Sequence, residues 1–588
     1  MKNKRFMLMA LLVIASMVLA ACGTTTVVET VVVEVGGETV VVTVTPETPF
    51  VPKVLNLNWG AEPPTADPAL ATDTTSVDLD GQLFMGLTNF SVDGAVIPWL
   101  ATDWSVSADG LTWTFNMRDD VPWVQYNTAT ASVDLVYDAD GNQRFVDAYD
   151  VEYATKRTTD PETASDYAYV LYIIKNAQDV NTGAEGVTVD DVGVHAVDAT
   201  TVEFTLESPA GFFPAIAGMW VIAPVPQWTI EAAGDKWTEP GTMVSNGPYV
   251  MTEWIHGSEL NLAKNPFWPE ADSVDIDEIH GVMIVEGSTA FAMYENGELH
   301  TAGVPSAEID RVKADPVLSL EYYSAPAACT YYYGLVNNKA PMDDVRVRKA
   351  FSMTVDKQSL VDNVTKGGQY PAGFFAPPGI FGRPDDDSGI GLEFDPAAAN
   401  ALLDEYLAEK GITRADLDVT LMHNTSEGHA NIAAAIQQFW LDNLGVSVTV
   451  ENQEWGVYLD TIGNDTPLEE MPHVFRLGWC ADYPDENNWV YEVFNADAGA
   501  NRLRRGCVDD VCTEVELGEF DLITEQAKAE QDPDVRKELY TEAERLLSEV
   551  EAAYIPIYFY TSVNVTKPEL TRDYATVGHS HWYWWTLE

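Results

Sequence analysis

Positive charge is what this sequence has least of. Only 32 Lys and Arg stand against 92 Asp and Glu in 588 residues, a formal net charge of −60. Such a surface excludes binding to nucleic acid, which needs basic contacts to phosphate, and adhesion of the folded body to anionic lipid. Its simplest use is a solubilising acidic coat. Long apolar runs are also absent after the first two dozen residues, so no downstream segment has the length of a membrane span. Reaction motifs are missing too. There is no GxxxxGK[ST] phosphate loop, HExxH zinc pair, GxSxG nucleophile elbow or GxGxxG dinucleotide fingerprint. No cofactor or metal is therefore implied. His579 and His581 would share one face of a strand and could share a metal, but a polar edge near the C-terminus is the simpler reading. A glycosidase-like pair of carboxylates carries no local motif, so a secreted hydrolase stays as a minor alternative.

Cysteine is scarce, and its placement is informative. Lys2, Lys4 and Arg5 precede an acid-free apolar run from Phe6 to Ala21, and Leu19-Ala20-Ala21 leads into Cys22. This order of basic, apolar and small residues is an export signal. Its end resembles a bacterial lipobox, which implies a leader over 1–21 and a lipidated Cys22. The expected location is the outer face of the cytoplasmic membrane or the periplasm, with the chain held as a lipoprotein. Four cysteines remain: Cys329, Cys480, Cys507 and Cys512. An even number in an exported chain suggests two disulfides, and three pairings are possible. Cys507 and Cys512 enclose only VDDV and make the simplest local pair; Cys329 and Cys480 would then join distant segments.

What is present reads as a mixed α/β chain too long for one core. Residues 22–51 are almost all Val, Thr, Glu and Gly, and read as an extended tether. Gly36-Gly37 could turn a hairpin there, and a self-associating β segment is the competing reading. VLNLN near residue 54 alternates like a strand. Val419–Asn424 is strand-like. Ile432, Ile436, Phe439, Trp440 and Leu444 then recur at helical spacing up to Gly445, and Val446, Val448 and Val450 alternate again. Strand, helix and strand within about thirty residues imply parallel pairing. A helix should follow Asp344, with Val347, Ala350 and Phe351 inward. Another should run from Pro533 to about Val550 with Val535, Leu539, Ala543, Leu546, Leu547 and Val550 as its apolar stripe, followed by the buried strand IPIYFY.

One stretch concentrates chemistry. RLGWCADYPDENNW, from Arg476 to Trp489, holds an arginine, two tryptophans, a cysteine and three acids. Further segments share its character of family motifs. IPWLATDWSVSADGLTWTFNMRDDVPW (97–123), VSNGPYVMTEW (244–254), NPFW (265–268) and YENGEL (294–299) lie in the first half. CTYYYGLVNNKAPMDDVRVRKAF (329–351), NTSEGH (424–429), NQEW (452–455) and GWCADY (478–483) lie in the second. Together they resemble the oligopeptide-binding proteins of bacterial ABC importers, over almost all of residues 53–588.

The resemblance implies an α/β, two-lobed periplasmic-binding-protein-like clamp with an extra subdomain in the first lobe. Lobe one would comprise 52–87, 227–328 and 560–588, the extra subdomain 88–226, and lobe two 329–559. It implies a Cys329–Cys480 disulfide. It also implies short peptides as ligands and an ABC permease in the membrane as partner, with the binding protein itself a monomer that does no covalent chemistry. Asp482 of GWCAD would pair with the peptide's α-amino group, because a buried ammonium without a partner is costly. Arg476 would hold the C-terminal carboxylate and His429 would serve longer peptides. Trp455 and Trp479 would wall side-chain pockets, and Gly478 would present backbone. Asp485, Glu486 and Trp489 gain no such role, and the two acids read as loop surface. The chain departs from the pattern at Gly334, where the family has a glutamate, and at Ile462, where it has an arginine. These departures leave peptide length open and keep an oligosaccharide or a metal chelate as an alternative solute.

Overall fold

The computed structural model describes residues 29–35, 38–44 and 50–588 except 465, 499, 508–516, 575–576 and 578–579. The leader, Cys22, Cys512 and His579 lie outside the described residues. The chain divides into two compact units, Met1–Pro52 and Lys53–Glu588. In the first, part of the expected tether is a hairpin: Glu29–Val35 pairs antiparallel with Glu38–Val44, Glu29 opposite Val44 and Val35 opposite Glu38. The Gly36-Gly37 turn lies outside the described residues.

The second unit is a mixed α/β clamp built on several sheets. In one, Val54–Asn58 alternates as expected, with Leu55 and Leu57 inward, and closes a four-stranded sheet by parallel pairing with Glu278–Val282. A separate four-stranded antiparallel sheet runs Val194–Asp198, Thr201–Thr205, Thr112–Met117 and Ala101–Val106. Trp113, Phe115 and Met117 point from it into the core.

The largest sheet has seven strands. Its centre is two long antiparallel strands, Tyr322–Leu335 and Tyr554–Thr566. Their register breaks in the middle: Pro326 faces Thr561 and Thr330 faces Phe559, so residues 327–329 bulge opposite Tyr560. Beside them lie Val474–Cys480 and then Thr420–Asn424 and Thr449–Gln453, the last two parallel.

Helix signals held where capping and periodicity agreed. Asp344 caps Val345–Met353, with Val347, Ala350 and Phe351 buried. Glu427–Leu444 ends on Gly445 at φ 66°, a left-handed conformation that costs glycine least. Its Trp440 donates from Nε1 to the Phe351 carbonyl at 3.0 Å. The following strand starts later than its valines suggest, at Thr449, because Val446 and Val448 are buried in the connection instead. Pro533–Arg545 runs on into a π-turn at Leu546–Val550. The expected stripe holds at its centre, where Ala543, Leu546 and Leu547 are buried, but not at its ends: Val535 and Val550 are exposed, and Tyr540 and Glu544 are fully buried beside it. His581 is no polar edge. It is fully buried, its Nε2 3.0 Å from Asn89 Oδ1 and its ring stacked on Trp584. No described helix is long and apolar enough to cross a membrane.

Candidate functional site: a carboxylate and a guanidinium beside one cavity

The Val474–Cys480 strand organises the site. It pairs with Tyr322–Leu335 in a register that sets Arg476 opposite Tyr333, Gly478 opposite Tyr331 and Cys480 opposite Cys329. The last pair is joined by a disulfide. Cys507 is also disulfide-bonded, while its expected partner Cys512 lies outside the described residues. A cavity of about 530 Å³ opens beside the strand's C-terminal half, a size suited to a small solute. Arg476, Gly478, Trp479, Asp482 and Trp455 all border it. His429 does not. It packs behind, its Nδ1 3.3 Å from the Tyr331 hydroxyl, and burial followed by the nearby Arg476 charge holds its imidazole neutral.

Asp482 is held but not neutralised. Its Oδ2 accepts from the Tyr167 hydroxyl at 3.0 Å and from Asn488 Nδ2 at 2.8 Å, and its backbone N–H donates to Asn488 Oδ1. No cation forms a salt bridge with it among the described residues. Burial pushes its carboxyl up to about 7, against the opposing pull of the Asn488 and Tyr167 hydrogen bonds. Asn488 donates also to Glu492 Oε2 at 2.8 Å, and Tyr483 donates to Glu492 Oε1 at 2.5 Å. Burial raises Glu492 to about 8, so near neutral pH it is a largely protonated prop rather than a second charge.

Arg476 is the mirror case. It is buried, yet no carboxylate lies within ion-pair distance among the described residues. Nη1 donates to Asn424 Oδ1 at 3.2 Å, Nη2 donates to the Tyr560 hydroxyl, and Nε has no partner. The guanidinium rests on the Tyr331 ring, 4.6 Å from its centroid, a cation–π seat that replaces part of its lost hydration.

The tryptophans close the walls. Trp455 Nε1 donates to Asp73 Oδ1 at 3.2 Å, and Trp479 stacks on Tyr167 with rings 12° from parallel. At Gly334 an added Cβ would lie 2.3 Å from the Phe475 ring directly across the register, so the space a longer side chain would need is filled. Ile462 is fully buried in the core. Neither position supplies a charged side chain to the cavity.

The acids placed on the loop surface are buried. The loop folds into a π-turn at Asn487–Tyr491, which swings Asp485 onto Arg536 in a bidentate pair at 2.6 and 2.8 Å. Glu486 is fully buried, and burial and then the neighbouring Glu544 carboxylate raise it well above the usual range. Trp489 is fully buried against Phe375. Sequence reasoning missed Asn488, Tyr167 and Tyr560. Asn488 stood in the quoted stretch, but its partners became visible only once the turn formed.

Two lobes around a solute-sized cavity, with the Asp482 carboxylate and the Arg476 guanidinium both on its wall and neither in an ion pair among the described residues, define a binding clamp rather than a catalyst. Comparison with known proteins agrees. Residues 95–501 match the family described as bacterial extracellular solute-binding proteins, family 5 Middle. The oligopeptide-binding protein OppA of Bacillus subtilis is 34% identical over 525 residues, covering 88% of this chain and 89% of the relative. The fold superposes on the Escherichia coli murein tripeptide binding protein MppA with a TM-score of 0.79 at 28% identity, covering 91% of this chain and 98% of that one. On the unliganded open form of MppA the TM-score is 0.60 at 29% identity, covering 91% and 97%. The present structure is thus further from that open form. The chain belongs to the family 5 extracellular solute-binding proteins.

Proposed function

We propose that the chain is the lipid-anchored binding component of an ABC importer, that it captures short peptides in the cavity beside the Val474–Cys480 strand, and that it delivers them to a membrane permease. One observation carries the reading. An uncompensated carboxylate at Asp482 and an uncompensated guanidinium at Arg476 border the same cavity. A peptide with free termini is a zwitterion whose ammonium and carboxylate answer both, through bonds roughly twice as strong as neutral ones. Gly478 and its neighbours offer backbone between the two, as in strand addition. The similarity to an oligopeptide-binding and a murein tripeptide binding protein supports the same ligand class.

The lobe assignment expected from sequence belongs to this proposal. Its boundaries at 328/329 and 559/560 fall on the register break of the two long strands, where residues 327–329 bulge and bending is easiest. Tyr167 and Asp73 on the lobe-one side then meet Asp482 and Trp455 on the lobe-two side. Ligand contacts to both sides would favour the closed form, which the permease reads. Cys22 would carry the lipid. An oligosaccharide is favoured only by the five tryptophans on the cavity wall, and it leaves both charges unanswered. Mass spectrometry of solutes released from purified protein tests the choice: short peptides support the proposal, and a single sugar or chelate overturns it.

A further inference from the structure

Charge on the cavity wall is lopsided in a way that the peptide's own termini do not use. Among the described residues, six aspartates border the cavity against three arginines, with no glutamate or lysine. Asp482 and Arg476 answer the termini. The two remaining arginines are engaged. Arg572 lies over the Tyr574 and Trp585 rings at 4.6 and 4.3 Å and donates to Thr301 Oγ1, and Arg502 donates to the Leu459 carbonyl.

Three of the acids come from one short element. Asp73 caps the Thr74–Leu83 helix, and Asp78 and Asp80 lie within it. Asp73, Val77, Asp80 and Phe84 are spaced by three or four, which is one helical face. Asp73 spends Oδ1 on the Thr75 and Ser76 amides and Trp455, while its Oδ2 is buried without a partner. Asp78 accepts from the Ser580 amide. Asp80 is only 1% exposed, and neither of its carboxyl oxygens has any hydrogen-bond partner. A buried acid left without a partner is costly to keep. Burial holds Asp80 well above the usual carboxylate range, with the charges of Asp67 and Asp73 adding to it. Aromatic walls beside carboxylates are the chemistry that receives an organic cation.

Resting on the peptide reading of this site, we propose that the Thr74–Leu83 helix forms a cation-selective subsite, so that the preferred ligands are short peptides carrying a lysine or arginine side chain. Asp80 receives the side-chain cation, and Asp78, which also borders the cavity, adds its charge to the wall. The ligand thus brings two positive groups and one negative one.

Calorimetry on the full chain, near neutral pH and at about 0.15 M salt, tests this with trialanine, its three single-lysine variants and its three single-glutamate variants. At least one lysine peptide should bind about tenfold or more tighter than trialanine, and its glutamate counterpart more weakly. In Asp80→Asn, and separately in the less buried Asp78→Asn, the lysine-to-alanine affinity ratio should fall by about threefold or more. Trialanine binding with no lysine peptide preferred, or a ratio unchanged in both variants, overturns the subsite while leaving the peptide reading intact. Failure of all seven peptides overturns the peptide reading and the subsite with it.

Discussion

At the scale of single residues, the account rests on Asp482. Replacing it with Asn keeps shape and the Tyr167 and Asn488 contacts but removes the charge. A charge-assisted hydrogen bond is worth about 1.5–3 kcal/mol, so affinity for a free-amine tripeptide should fall about 10- to 100-fold by calorimetry. The pH dependence has a definite sign. An ammonium binds the ionised carboxylate, and burial holds Asp482 near 7. Below that value the ligand must first drive off a proton. Affinity should therefore weaken by up to about tenfold per unit of falling pH, with protons released to buffer on binding. Above about 8 the peptide's own amine deprotonates and affinity falls again. A flat profile between pH 5 and 8 would remove the amine contact. Asp482, Arg476, Gly478, Trp455 and Trp479 could be placed from sequence because the motifs around them are local. Asn488 and Tyr167 could not. Tyr167 lies 315 positions from Asp482, and no periodicity or spacing links residues brought together only by the fold.

At the scale of elements, the bulge at 327–329 ties the proposed hinge to the site. Cys329, within it, is bonded to Cys480, two residues before Asp482. Tyr560, opposite it, accepts from Arg476. The disulfide closes a long loop, its cysteines separated by 151 in sequence. Removing it by Cys329→Ser with Cys480→Ser should cost about 2–4 kcal/mol in urea unfolding. Peptide affinity should fall as well, since the loop carrying Asp482 loses its fixed end. Unchanged affinity in a folded double variant would mean that Asn488 alone positions the carboxylate. The elements most legible in sequence were those whose periodicity ends on a clear stop signal, such as Glu427–Leu444 before Gly445. Several of those misread lie beside π-turns. Asp485 and Glu486 look like surface but are buried where they lead into the π-turn at Asn487–Tyr491, and Val550 is exposed at the end of the π-turn that follows the Pro533 helix. A single added residue in a turn leaves no mark in the pattern of apolar residues.

At the scale of the whole molecule, buried acids set the response to pH. Asp150, Asp482 and Glu544 are raised to about 7 and Glu492 to about 8, each by burial first. Between pH 6.5 and 8 the native state therefore holds more protons than the unfolded chain, whose carboxyls have already ionised. Stability then falls as pH rises. Two groups act in the opposite sense: His473, lowered by burial to about 4, does so below the unfolded histidine value near 6.5, and Lys357, lowered by burial to about 7, does so within the window, as one group against the four acids. The ligand-free protein should show a lower Tm at pH 8 than at 6.5 by calorimetry. A Tm that rises across that window would mean these acids are ionised in the native state. The central claim, that the clamp closes on a peptide held by its free amine, is tested most directly by one titration of the purified chain. Trialanine and N-acetyl-trialanine are compared at neutral pH by isothermal calorimetry. The account predicts binding of the free peptide and a loss of about tenfold or more on acetylation. Equal affinity for the two would contradict it.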